Sequence, residues 1–369
     1  MRFPPRWLAT IVSVATCLLF VGVVARADQV DEFVESCRAE QQIPGVALLV
    51  VKDGQTVKSQ GYGLANVEHQ VPVTAETIFQ TGSVGKQFTA AAVMLLVEDG
   101  RLTLSDSVRK HLTAAPESWQ PITVRHLLSH TGGLGDWPPD FSLKRNYTDS
   151  QLLDAIYKTK LRFAPGEKWD YSNLGYVTLG MLIGKVTGKH YGELLRERIF
   201  EPAGMTSTRI INEADIVPHR AAGYRLLGGK LKNQEWVSPT MNTTADGSLY
   251  TNLVDMARWD AALNGDKLLK RSSLDEMWTP VALNDGKPNP SNYGYGWVIE
   301  GTPGHKMVQH GGAWQGFTTH ISRYLDDKLT VVVLTNLAAH SYKKNSPKIG
   351  RGVAEIYLPA LKGAGSVAE

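Results

Sequence analysis

Cysteine is nearly missing from this chain: among 369 residues there are two, Cys17 and Cys37. Cys17 lies in an apolar N-terminal stretch, and once that stretch is set apart Cys37 stands alone. An intramolecular disulfide and a cysteine-built zinc cage are thereby excluded, and Cys37 reads as a half-buried spectator. A surplus of one charge is missing too. The chain carries 39 Lys and Arg against 36 Asp and Glu, and removal of Arg2, Arg6 and Arg26 with the N-terminal stretch leaves 36 of each sign. No electrostatic footprint for nucleic acid survives. Internal repeats, low-complexity tracts and later runs long enough to cross a membrane are lacking as well, so repeat arrays and multi-span membrane proteins drop out.

What is present first is "MRFPPR" followed by "WLATIVSVATCLLFVGVVA" and Ala25-Arg26-Ala27. Basic residues, an apolar run and a small-x-small site have the form of an export signal spanning residues 1–27, cleaved before Asp28. The run is close to bilayer length, so an uncleaved N-terminal anchor is the alternative. Either way the remainder is expected outside the cytoplasm, periplasmic or secreted. That remainder belongs to a chain with 43% hydrophobic and 20% charged residues, a composition that folds around a sizeable core.

Strand patterns lie at both ends. "PGVALLVV" and "QTVKSQGYGLAN" flank Asp53-Gly54, a hairpin turn signal. "NYGYGWVIEG", "HKMVQHGG", "FTTHISRYL" and "LTVVVLTN" return late, the last two joined by a turn at Asp326-Asp327, and "RGVAEIYLPALKG" closes as a helix. Between them helical signals dominate: "SVGKQFTAAAVMLLVEDG", "TVRHLLSH", "DSQLLDAIYKT", "NLGYVTLGMLIGKVTG" and "YGELLRERIFEPAG". The pattern predicts an α+β fold, with one antiparallel sheet formed by both chain ends, flanking helices and an inserted, mostly helical domain. The expected division is a sheet domain of residues 28–82 plus 231–362 and a helical domain of 83–230. A cleft between two such layers is a natural binding site.

Three segments carry chemistry. In "FQTGSVGKQFTAAAVMLLVEDG" a helix started at Ser83 puts Lys86 one turn later on nearly the same face. The helix is apolar almost all round and therefore buried. A lysine held there loses hydration, its pKa falls, and its neutral amine can serve as a base for Ser83, whose oxygen gains from the amides of a helix start. Spacing alone is weak, since Ser107-Lys110 and Ser341-Lys344 repeat it in charged surroundings. The second segment, "APGEKWDYSNLGY", offers Tyr171 as a phenol able to shuttle protons and Asn173 as a carboxamide able to hold an amide-bearing substrate. Tyr250 and Asn252 repeat that spacing, but Asn252 with Asp255 reads as a helix cap. The third, "VQHGGAWQGF", sets His310, Gly311 and Gly312 at a strand end. Paired glycines there would let an acyl group approach the strand edge, with the Ala313 N–H facing it.

Other chemistries fit less well. A nucleophile elbow wants Gly where Thr81 stands. His126 and His130 have metal-ligand spacing without the intervening Glu, and read as caps or braces of a helix. No metal or other cofactor is implied. Trp137, Trp169, Trp297 and Trp314 lie near the motif segments, where they could line an acyl pocket or pack in the core.

"TGSVGKQFTA", "ITVRHLLSHTGGL", "PGEKWDYSNLGY" and "HGGAWQGF", in that order, resemble the serine β-lactamase and penicillin-binding superfamily, in its class C, DD-peptidase and esterase branch. The likeness extends over roughly residues 30–345 and implies the β-lactamase/transpeptidase-like fold. It further implies Ser83 as acylated nucleophile, Lys86 as its base partner and Tyr171 as proton shuttle. Asn173, His310, Gly311 and Gly312 would contact substrate, and the backbone N–H groups of Ser83 and Ala313 would form the oxyanion hole. Where class C β-lactamases carry Lys-Thr-Gly, this chain has His310-Gly311-Gly312, which removes a permanent ammonium and a hydroxyl that would hold a β-lactam carboxylate. The resemblance thus implies small-molecule esters, amides or D-amino-acid peptides before β-lactams, with a catalytically silent peptide- or peptidoglycan-binding module, or a true β-lactamase, as the alternatives. His310 is expected to titrate near neutrality.

Overall fold

The computed structural model of the chain describes residues 21–339 and 345–362. The apolar stretch through residue 20, read as the body of a signal, lies outside the described residues, as do Ser341 and Lys344.

A helix, α1 (Val21–Glu40), leads into the hairpin β1 (Gly45–Lys52) and β2 (Gln55–Asn66) and the short β3 (Val71–Pro72). The Asp53-Gly54 turn has positive φ at both residues, 50° and 75°, which suits the twist of the strands it joins. After β4 (Phe79–Gln80) come the helices α2 (Lys86–Glu98), α3 (Val124–Leu128), α4 (Asp149–Tyr157), α5 (Asn173–Thr187) and α6 (Tyr191–Leu195). Short strands β5 (Arg209–Ile210), β6 (Tyr224–Leu227), β7 (Lys230–Asn233) and β8 (Leu249–Thr251) precede α7 (Leu253–Asn264) and α8 (Arg271–Met277). The chain finishes with β9 (Val298–Thr302), β10 (His305–Trp314), β11 (Phe317–Tyr324), β12 (Leu329–Thr335) and α9 (Ser346–Tyr357).

Seven strands form one antiparallel sheet in the order β3-β2-β1-β12-β11-β10-β9. The N-terminal hairpin thus pairs with the last strand, Leu48 facing Val333, as the split strand signals predict. Both sheet faces are covered, so β1 and β12 read as unbroken apolar runs instead of alternating ones. Val46, Leu48 and Val50 join Val30 and Val34 of α1 and Ile349 and Val353 of α9 in one cluster, whereas Ala47, Leu49 and Val51 join α2, α5 and α7 in the other. Cys37 is fully buried in the first cluster, not half-exposed as expected.

One further expectation shifts. Asn292–Trp297 of "NYGYGW" is a loop with a bend at Tyr295 and Gly296 and an isolated bridge from Tyr293 to Val298, and the strand begins only at Val298. The mostly helical stretch also contains the short β5 and β6, and α7 and α8 lie in the stretch that carries the sheet. Short apolar segments do not reveal their period, so neighbours decide their state. Among the described residues no helix is long and apolar enough to cross a membrane.

Candidate active site

Ser83 does not sit in the α-helix. It lies in a 3-10 turn, Gly82–Gly85, whose Ser83 carbonyl accepts from the Lys86 backbone N–H, and α2 starts at Lys86. A 3-10 turn has three residues per turn, so positions three apart are nearly eclipsed. Lys86 Nζ is 3.2 Å from Ser83 Oγ. The tighter turn aligns the pair better than the predicted α-helical start.

Glycine makes the turn possible. Gly82 has φ +52°, and a Cβ there would lie 2.6 Å from the Ala313 nitrogen of β10. A Cβ on Gly312 would strike the Thr81 carbonyl and stand 3.0 Å from the Ser83 nitrogen. Strand β10 therefore lies directly against the Ser83 turn, with the backbone around Ala313 packed on that around Ser83. The bare Gly312 position makes room for the chain itself.

Lys86 is 0% exposed on a helix buried on all sides from Lys86 through Leu96. Its Nζ donates to Asn173 Oδ1 at 2.7 Å and to the Asp246 carbonyl at 2.6 Å. Burial lowers the amine's pKa to about 8, with the Asp246 charge acting against the fall. The amine is thus poised to exchange a proton near neutral pH.

Tyr171 and Asn173 are displayed at the start of α5, where Ser172 caps the helix by accepting from the Gly175 N–H at 3.1 Å. Lys86 Nζ stands 4.9 Å from the Tyr171 ring centre. The Tyr171 hydroxyl is buried and meets no partner at full hydrogen-bond geometry. Burial raises its pKa, and the neighbouring Ser83 hydroxyl acts against the rise. Asn173 differs from expectation in one respect: its oxygen is committed to Lys86, so only its N–H groups can reach a substrate carbonyl.

His310 is not the cationic group that its motif position suggests. It is 3% exposed, Nδ1 donates to the Gly311 carbonyl at 2.6 Å, and Nε2 lies 2.9 Å from the Tyr293 hydroxyl. Burial, with Lys86 nearby, lowers its pKa to about 3. The ring is neutral across the working range, which overturns the expectation of titration near neutrality.

The two histidines of "HLLSH" separate. His126 Nδ1 accepts from the Thr123 N–H in a capping box. His130, at φ +61°, accepts from the Ser172 N–H on Nδ1 at 3.1 Å and packs its ring 4.3 Å from that of Tyr171. Both act as braces, His130 directly behind the phenol. Trp169 stands 6.4 Å from the Tyr171 ring, Trp137 stacks on Phe141, and Trp314 Nε1 donates to Asn242 Oδ1. Trp297 is wholly buried core. Sequence reasoning missed Asp246 and Tyr293: "TADGSL" and "NYGYGW" have no spacing that ties them to Ser83, and only the folded chain brings them near it.

A family model described as Beta-lactamase matches residues 30–352. Penicillin-binding protein 4* of Bacillus subtilis (strain 168) is 31% identical over 307 residues, covering 78% of this chain and 67% of that protein. The curated relatives are longer, this chain spanning between 62% and 67% of the length of the first of them. Among solved structures, the octameric penicillin-binding protein homologue from Pyrococcus abyssi superposes with a TM-score of 0.76 at 29% identity, covering 90% of this chain and 77% of that one. D-amino acid amidase from Ochrobactrum anthropi SV3 superposes with a TM-score of 0.78, covering 92% and 100%, and at 24% identity this likeness concerns the fold.

Proposed function

Because the chain belongs to the Beta-lactamase family and is similar to a penicillin-binding protein of Bacillus subtilis, we propose that it is a serine hydrolase working through an acyl-enzyme on Ser83. The observation that carries this reading is the placement of a buried Lys86 amine, with a pKa of about 8, at 3.2 Å from the Ser83 hydroxyl.

In the first step the Ser83 Oγ–H bond breaks as Oγ bonds to the substrate carbonyl carbon, and the proton passes to the Lys86 and Tyr171 pair. The adjacent Ser83 and Ala313 N–H groups receive the oxyanion. Collapse expels the alcohol or amine, which takes the proton back through Tyr171. Water then attacks the acyl-Ser83 ester, restoring the hydroxyl and releasing an acid.

Esters, amides and D-amino-acid peptides without a carboxylate next to the scissile bond suit the site better than β-lactams. Neutral His310 offers no ion pair, and Lys86 is already engaged by Ser83, Asn173 and Asp246. A carboxylate entering such a site loses hydration without a matching cation. We further propose export: cleavage before Asp28 would leave Val30, Val34 and Cys37 of α1 in place on the sheet. N-terminal sequencing of the secreted or periplasmic protein checks that.

The test of the catalytic reading is intact-protein mass measurement of wild type and Ser83→Ala after exposure to a p-nitrophenyl ester, a D-alanyl-D-alanine peptide and a penicillin, with product release followed in parallel. A Ser83-dependent adduct or turnover is expected, strongest with the ester. Full turnover by Ser83→Ala would sink the reading. A folded wild type with neither adduct nor turnover on any of the three would favour the silent binding module.

A further inference from the structure

The segment behind Lys86 belongs to no sequence motif. Three consecutive carbonyls in it receive side chains from the strand-turn-helix that carries the nucleophile: Ala245 O accepts from Thr89 Oγ1 at 2.7 Å, Asp246 O from Lys86 Nζ at 2.6 Å, and Gly247 O from Thr81 Oγ1 at 2.9 Å. Gly247 lies flush against the turn, where a side chain would strike the Gly82 carbonyl and come within 2.9 Å of the Ser83 nitrogen. The backbone thus fixes where the Lys86 amine stops.

The carboxylate at position 246 is not needed for that. Any residue supplies a carbonyl, yet Asp246 places an anion here whose Oδ1 is buried without a hydrogen-bond partner. An unpartnered buried carboxylate oxygen is costly unless a charge nearby offsets it. The Asp246 charge acts on Lys86 and on Tyr171. The remaining groups around Lys86 are uncharged: Ser83, Asn173, the Tyr171 and Tyr176 rings at 4.9 and 5.4 Å, and the buried, neutral His130 and His310. Asp246 is the anion of this set.

We propose that Asp246 is a positioning residue for acyl transfer: its carbonyl seats the Lys86 amine beside Ser83, and its carboxylate is the counter-charge held next to that amine while it takes the Ser83 proton. The role rests on the reading of Ser83 as nucleophile. Burial alone would make Lys86 a feeble base, and proton transfer is most effective when the base titrates near the working pH. The lone carboxylate supplies the opposing effect.

Asp246→Asn keeps the carbonyl and removes the charge. With a p-nitrophenyl ester, kcat/KM of the full-length protein is measured from about pH 5 to about pH 10 for wild type, Asp246→Asn and Asp246→Glu. In parallel, the Lys86 side chain is titrated by carbon-13 NMR, its signal assigned by its loss in Lys86→Met. The expected result is an acid limb moved to lower pH by about half a unit or more in Asp246→Asn, a Lys86 titration moved the same way, and recovery of both in Asp246→Glu. A uniform loss of activity with the limb and the lysine titration unmoved would overturn the proposal, since it would mark a structural role only. Should Asp246→Asn fail to fold, Asp246→Ser takes its place. Hydrolysis that persists in Ser83→Ala would remove the acyl-transfer reading and the catalytic role with it, and the lysine titration would then separately report whether Asp246 acts on the charge of Lys86.

Discussion

Ser83 and Lys86 at the head of α2 and Ser107 and Lys110 in the loop beyond it share one spacing and differ in everything around it. In the first pair the lysine is fully buried and its amine touches the serine oxygen at 3.2 Å. In the second, Ser107 Oγ donates to the Gln120 carbonyl, and Lys110 turns to Asp106 at 2.9 Å with its side chain 61% exposed. Both serines adjoin a 3-10 turn, but Ser107 stands outside its turn in an extended conformation, whereas Ser83 lies within one. What separates them is the buried helix that follows Ser83 and the β10 and 245–247 segments closed upon it. A motif spacing becomes chemistry when surrounding structure strips water from the lysine.

The sharpest way to break this comparison is the serine itself. Ser83→Ala should lower kcat/KM by at least about a thousandfold, as expected for loss of a nucleophile, while Ser107→Ala leaves ester hydrolysis unchanged; equal effects in steady-state assays would erase the distinction. The tyrosines give the next largest contrast. Tyr171→Phe should cost on the order of a hundredfold or more in kcat, whereas Tyr250→Phe, in a buried strand residue acted on by Arg220 and Gln80, should change thermal stability and spare the rate.

A smaller effect lies in the pH profile. The base must be neutral to accept a proton, so kcat/KM should rise as pH increases through the Lys86 value of about 8, and Lys110→Ala should leave that limb in place. A profile flat across this range would remove Lys86 as the base. Smallest is the asparagine pair. Asn252 Oδ1 caps α7 by accepting from the Asp255 N–H at 2.9 Å, so Asn252→Ala should destabilise the fold by about 1 kcal/mol in chemical denaturation without touching activity. Asn173→Ala should do the reverse in emphasis, disturbing turnover by releasing Lys86 Nζ from its 2.7 Å contact.

Much of the architecture was legible because it rests on local pattern. Asp53-Gly54 announces a hairpin, "VALLVV" and "LTVVVL" announce strands, and the glycine after Thr187, Gly188 at φ +75°, announces the end of α5. The proximity of Ser83 and Lys86 was legible as well, since it depends on one turn of backbone. The 3-10 form of that turn was not, because it depends on Gly82 and Gly312 letting β10 approach. Nor was the neutrality of His310, which follows from burial and from the Gly311 and Tyr293 contacts. Tyr293 itself, in a loop that reads as a strand, and Asp246, in a segment with no motif, could not be assigned to the site from spacing at all.

The sequence by itself determined the α+β order of elements, the family resemblance and the short-range pairing of Ser83 with Lys86, because each is written in residues a few positions apart. Only the tertiary structure decided which of two identical spacings lies in a dry site, which histidine braces the phenol, and which carboxylate faces the lysine. Desolvation and charge coupling act through space over a few ångströms, and the residues that exert them on Lys86 lie far from it along the chain.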